Sequence, residues 1–159
     1  MSRFIFLFAL LFLTGCDSNR VFEDYAEFDD RTWKINDQID FNFEIKDASK
    51  KYNLYYNVRN SLAYPYARIF VNYSLKDSTH TELTSALASN YLFDQKTGRP
   101  LGRSGLGDVY DNQFLLLRSH SFTSAGAYQV TLEQFNRQDS LRGVIAVGIR
   151  VEEAPELNQ

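Results

Sequence analysis

The 159 residues hold one cysteine, three prolines, one methionine, one tryptophan and two histidines. One cysteine cannot close an internal disulfide, and two isolated histidines do not complete a zinc site around it. Lysine and arginine are scattered singly apart from Lys50-Lys51, and the net charge is -3, so no basic stripe is present to follow a phosphate backbone. Nucleic acid is therefore not an expected partner. No apolar run reaches the ~20 residues needed to span a bilayer as a helix. What is present is 44% hydrophobic and 15% aromatic residues, enough apolar mass for one ordinary folded domain.

The longest apolar run, Phe4 to Leu13, follows Arg3 and precedes Leu13-Thr14-Gly15-Cys16. A charge, ten apolar residues and a leucine, two small residues and a cysteine resemble a bacterial lipoprotein signal. That resemblance implies diacylglycerol on the Cys16 thiol, cleavage between Gly15 and Cys16, and acylation of the new amino group. Two or three acyl chains at about 0.8 kcal/mol per buried methylene make a lasting anchor, whereas one chain is marginal. An ordinary signal peptide with an incidental cysteine is the alternative. Loss of residues 1–15 from the 159 would leave 144 residues, with sixteen basic against twenty acidic groups. The expected organisation is a signal peptide at 1–15, a lipidated tether at 16–32, a folded domain at 33–153 and a tail at 154–159.

Within that domain, Ile39 to Ile45 alternates apolar and polar residues strictly, as a half-buried antiparallel strand does. Tyr52, Leu54, Tyr56 and Val58 repeat the period, as do Ile69 to Leu75, Tyr128 to Leu132 and Ile145 to Val151. Short apolar runs stand at Tyr91–Phe93 and Phe114–Leu117. Thr81 to Ala88 is weaker and is compatible with a strand or a short helix. Seven or eight short strands without a sustained 3.6-residue period predict an all-β fold, an antiparallel β-sandwich of immunoglobulin-like or jelly-roll-like type. In Ser124-Ala-Gly126-Ala-Tyr128 the glycine turns the chain and the tyrosine hydroxyl is expected to bond nearby backbone, a structural role.

Catalytic patterns are sparse. The glycines at 98, 102, 105 and 107 feed no predicted helix, so the segment lacks the geometry of a phosphate loop. Ser104 misses the nucleophile-elbow spacing. His80 and His120 stand forty residues apart, and Asp108 and Asp111 lack the spacing of a calcium loop. These patterns predict no enzyme, no metal and no cofactor beyond the covalent lipid. Asn57, Arg59, Tyr64 and Tyr66 crowd one strand and turn, and amides beside aromatic rings suit a sugar or peptide surface. The alternative is structural: Tyr64-Pro65-Tyr66 stabilises a turn and Arg59 pairs with a carboxylate.

The ordered series Cys16 to Phe22, Trp33, Phe41 to Ile45, Tyr52 to Leu54, Asn57 to Asn60, Tyr64-Pro65, Gly102, Gly105 to Asp108 and Gly126-Ala-Tyr128 resembles the gliding-motility lipoprotein GldH family of the Bacteroidetes. The resemblance runs from residue 16 to about 151. It implies a membrane-anchored envelope protein, without a known enzymatic activity, that partners other envelope proteins in a motility machinery overlapping type IX secretion. Asp17-Ser18-Asn19-Arg20 lacks the acidic cluster that resembles this phylum's surface-export signal, which implies a periplasm-facing anchor. Asp77-Ser78-Thr79 and Asp139-Ser140-Leu141 resemble the phylum's O-glycosylation pattern, at Ser78 and Ser140.

Overall fold

The computed structural model describes residues 18–155; the signal sequence, Cys16 and residues 156–159 lie outside the described residues. Two antiparallel sheets face each other. One has five strands in the order β1 (Arg20–Glu27), β11 (Val144–Glu153), β4 (Lys51–Ser61), β8 (Val109–Ser121) and β7 (Arg103–Ser104). The other has four, in the order β3 (Ile39–Ile45), β9 (Gly126–Gln134), β5 (Arg68–Asp77) and β6 (Glu82–Tyr91). A short ladder of β2 (Thr32–Lys34) and β10 (Ser140–Arg142) closes one end.

Period-two alternation builds this arrangement because successive strand side chains point to opposite faces. From β4, the side chains of Tyr52, Leu54, Tyr56 and Val58 enter the core. They meet Phe41, Phe43 and Ile45 of β3, Ile69, Val71 and Leu75 of β5, and Tyr128, Val130 and Leu132 of β9. Trp33 plugs the end beneath the short ladder, fully buried opposite Leu141, with its indole Nε1 donating to the Asp37 carbonyl at 2.8 Å. At the other end the Phe122, Tyr128 and Phe43 rings pack on one another, and Tyr128 Oη donates to the Ser124 carbonyl at 2.8 Å.

Two expectations change. The sandwich starts at Arg20, not at Trp33: β1 pairs with β11 from Arg20↔Glu152 to Glu27↔Ala146, and Phe22 reaches the Phe43 ring. Eight residues of the stretch expected as a tether thus form an edge strand, which leaves only a few residues between Cys16 and the folded sheet. The run from Thr81 to Ala88 is strand β6 from Glu82 onward, continuous with Tyr91, and not a helix. Its alternation is weak because it is an edge strand whose inward residues, Thr84, Ala86 and Ala88, are small and lie at the margin of the core. An edge strand buries less of its inward face and is under less pressure to carry large apolar groups.

Candidate functional site

The four residues expected to share a binding surface separate. Asn57 and Arg59 point outward from β4 on the far side of the five-stranded sheet, Tyr64 is buried in the core, and Tyr66 is on the outer side of the four-stranded sheet. Tyr64 stacks on Phe93 and donates its hydroxyl to the Arg68 carbonyl at 3.0 Å. Burial pushes its hydroxyl pKa far up, so it stays a neutral phenol that shapes the turn. The turn-stabilising role is the one its geometry provides.

On the five-stranded sheet, register brings distant residues into rows. Arg59 on β4 stands opposite Asp111 on β8 and Ala146 on β11. Its Nε donates to Asp111 Oδ1 at 2.8 Å, its guanidinium stands 3.9 Å from Glu27 and 5.5 Å from the centre of the Tyr25 ring, and the Asp111 bond holds it further toward its charged form. Asn57, in the next outward row, faces Gln113 on β8 and Gly148 on β11. The Tyr25 ring lies over that glycine. In the row beyond, Arg150 donates to Glu23 at 3.2 Å and to Glu152 at 3.1 Å. Tyr25 Oη donates to Glu23, and its pKa is raised by burial first and by that carboxylate second.

Together Glu23, Tyr25, Asn57, Arg103, Asp111, Asn112, Gln113 and Arg150 surround a polar depression of about 350 Å³. Asn57 is 2% exposed, its Oδ1 accepts from Gln113 Nε2 at 3.1 Å, and its Nδ2 has no hydrogen-bond partner. A buried donor left unpaired costs about 1–3 kcal/mol, so sites of this kind call for an explanation.

A second concavity, apolar and about 760 Å³, lies on the four-stranded sheet between Pro65, Tyr66, Phe70, Leu87, Phe135 and Arg137. Phe135 is 63% exposed there, with Tyr66 and Leu87 also in solvent. Arg68 flanks it, stacked on Tyr91 at 4.1 Å from the ring centre and on Phe70 at 5.8 Å. Exposed aromatic and aliphatic side chains around one concavity have the chemistry of a contact surface.

The remaining singled-out residues sit apart from both concavities. His80 lies in the β5–β6 turn with φ of 62°, and His120 packs edge-on to Phe122 at 4.8 Å. Ser78 is at the exposed tip of the same turn, whose loop is tied by Asp77 Oδ1 accepting from Thr79 and Thr81, and Ser140 is exposed on β10. Asp108 stands 3.9 Å from Arg31. Among the described residues no three His, Cys, Asp or Glu side chains gather as a metal site, and no helix is long and apolar enough to cross a membrane.

Comparison with known proteins follows the sandwich closely. The family model described as "GldH lipoprotein" matches residues 20–151, from the first residue of β1 into the last strand. The chain belongs to the GldH lipoprotein family. Two relatives are aligned over nearly their whole lengths. The "Gliding motility lipoprotein GldH homolog" of Christiangramia forsetii is 28% identical over 160 residues, covering 96% of each chain. The "Gliding motility lipoprotein GldH" of Flavobacterium johnsoniae is 27% identical over 156 residues, covering 94% of each. The GldH family match starts with β1, in keeping with that strand's place in the sheet.

Sequence reading missed Glu23, Tyr25, Gln113 and Arg150, because only sheet register brings β1, β4, β8 and β11 together. One local signal was present. Gly148 interrupts the apolar run Ile145 to Val151, and a glycine inside a strand marks a close approach of another group.

Proposed function

We propose that this protein is a lipid-anchored component of the gliding-motility machinery of the cell envelope, acting by contact with other proteins and not by catalysis. The single observation that carries the reading is the family match over residues 20–151, with relatives named for gliding motility aligned over 94–96% of their lengths. Acylated Cys16 fastens the domain to a membrane leaflet, facing the periplasm, with β1 held close to the lipid surface. The machinery it serves overlaps with type IX secretion.

Two structural features agree with a contact role. The titratable groups with displaced pKa values are mostly core tyrosines, loop-capping aspartates and ion-paired side chains, and among the described residues none of these is paired as a nucleophile with a base. The apolar concavity around Tyr66, Leu87 and Phe135 offers aromatic side chains of the kind enriched where proteins meet. Affinity purification of the tagged protein from its native envelope tests this. Wild type should retain a defined set of envelope proteins, and Tyr66→Ala with Phe135→Ala should lose at least one of them while remaining folded. Retention of the full set by the double variant would reject this surface.

Ser78 and Ser140 are proposed as O-glycan acceptors, both being exposed outside the apolar concavity. An intact mass of protein from native cells that matches the lipidated chain alone would dispose of that assignment.

A further inference from the structure

We infer that the polar depression on the five-stranded sheet binds a saccharide of one or two rings. This site is on the opposite sheet from the apolar concavity and does not depend on the protein contacts proposed above. Its base is the Asn57–Gln113 amide pair, its walls are Glu23 and Arg150 on one side and Asp111 and Arg103 on the other, and Tyr25 closes it beside β1.

The first observation is the orphaned donor. Asn57 is 2% exposed and lines the depression, yet its Nδ2 bonds nothing. A buried amide normally finds a partner, so an acceptor from outside the chain completes this one. The volume of about 350 Å³ is at the lower end of small-ligand pockets.

The second observation is how the charges are disposed. Asp111 is already paired with Arg59 at 2.8 Å, and Glu23 with Arg20 at 2.9 Å and Arg150 at 3.2 Å. An ionic ligand would have to compete with these partners for either sign of charge. A hydroxyl need not, since it both donates and accepts: it can give its proton to an unused carboxylate lone pair and take one from Asn57 Nδ2. Several hydroxyls on one rigid ring match alternating donors and acceptors around one rim, which describes a sugar. Arg103, on the short strand β7, is exposed and makes no ion pair among the described residues. It adds a single uncompensated cation at the rim, so a sugar carrying a carboxylate is held more tightly than its neutral counterpart. An extended peptide fits less well, because its alternate side chains need pockets along a strand and this is a single open depression of mostly polar side chains.

The shape of the site depends on Gly148. A β-carbon there would stand 2.8 Å from Tyr25 Cδ1, so only glycine lets the ring lie down on the sheet beside Asn57.

The test uses the full chain carrying Cys16→Ala, labelled with ¹⁵N and titrated with glucose, N-acetylglucosamine, glucuronic acid and, as the peptide arm, trialanine. The expected result is a saturable shift of the Asn57 side-chain amide with at least one sugar, tighter for glucuronic acid than for glucose. In Asn57→Ala with Arg103→Ala the dissociation constant should rise by roughly tenfold or more, as loss of hydrogen bonds to the ligand implies. Backbone amide shifts elsewhere report that this variant is folded, and Tyr66→Ala, on the other sheet, should bind as wild type does. No saturable shift with any sugar, equal or stronger shifts with trialanine, or undiminished binding by the folded double variant would each overturn the proposal.

Discussion

The Tyr25 ring lies on the backbone of Gly148, so close that a β-carbon at that glycine would be 2.8 Å from Cδ1 of the ring and 2.5 Å from the Asp24 carbonyl oxygen. The contact joins the edge strand β1 to its neighbour β11 in the sheet.

Gly148→Ala should therefore push β1 away from β11. Overpacking of this kind costs about 1–3 kcal/mol. Urea unfolding followed by tyrosine and tryptophan fluorescence should show a lowered midpoint and an unfolding free energy smaller by that amount, with the amides of residues 20–27 exchanging faster than those of β4. An unchanged midpoint would mean that the ring moves aside without resistance.

Tyr128→Phe removes a buried hydroxyl and leaves the Ser124 carbonyl without its 2.8 Å donor. The expected loss is about 1–2 kcal/mol of unfolding free energy, read from chemical denaturation. Phe43 and Phe122 still pack on the remaining ring, so the variant should keep a native near-ultraviolet spectrum.

His120 supplies a pH dependence. Burial against Phe122 lowers its pKa below the ordinary 6.5, so the folded state favours the neutral ring. The unfolded chain then takes up the proton first as pH falls. This site's contribution to stability is complete above about pH 6.5 and is lost as pH falls through that value toward the folded pKa. Side-chain NMR should place the folded midpoint below 6.5. His120→Gln should flatten the acid limb of the stability curve between the two midpoints; a steeper limb would contradict the sign.

Much of the fold is legible in the sequence because alternation is local. Ile39 to Ile45 and Tyr52 to Val58 announce their inward faces residue by residue, and Tyr128 announces its corner through the glycine two positions earlier. Strand β1 was harder to see because its inward groups, Phe22 and Ala26, are separated by Asp24, and its other face carries Glu23, Tyr25 and Glu27. Amphipathic but short, it takes its stability from β11, more than 100 residues away. The candidate sites were less legible for the same reason. Asn57 and Arg59 are correctly neighbours on one face, but the amides and carboxylates that complete their surroundings arrive by register from β1, β8 and β11. Tyr64 and Tyr66 are two residues apart in sequence, yet the turn sends one into the core and leaves the other in solvent.

The role proposed for this GldH-family sandwich is movement over surfaces from a lipid anchor at Cys16. Its most direct test is deletion of the gene in the bacterium that carries it, followed by measurement of colony spreading and single-cell movement on agar. The deletion strain should stop spreading, the wild-type chain should restore it, and Cys16→Ala should accumulate as a folded but unanchored protein that does not. A deletion strain that spreads as its parent does would contradict the motility assignment, and full rescue by Cys16→Ala would contradict the anchor.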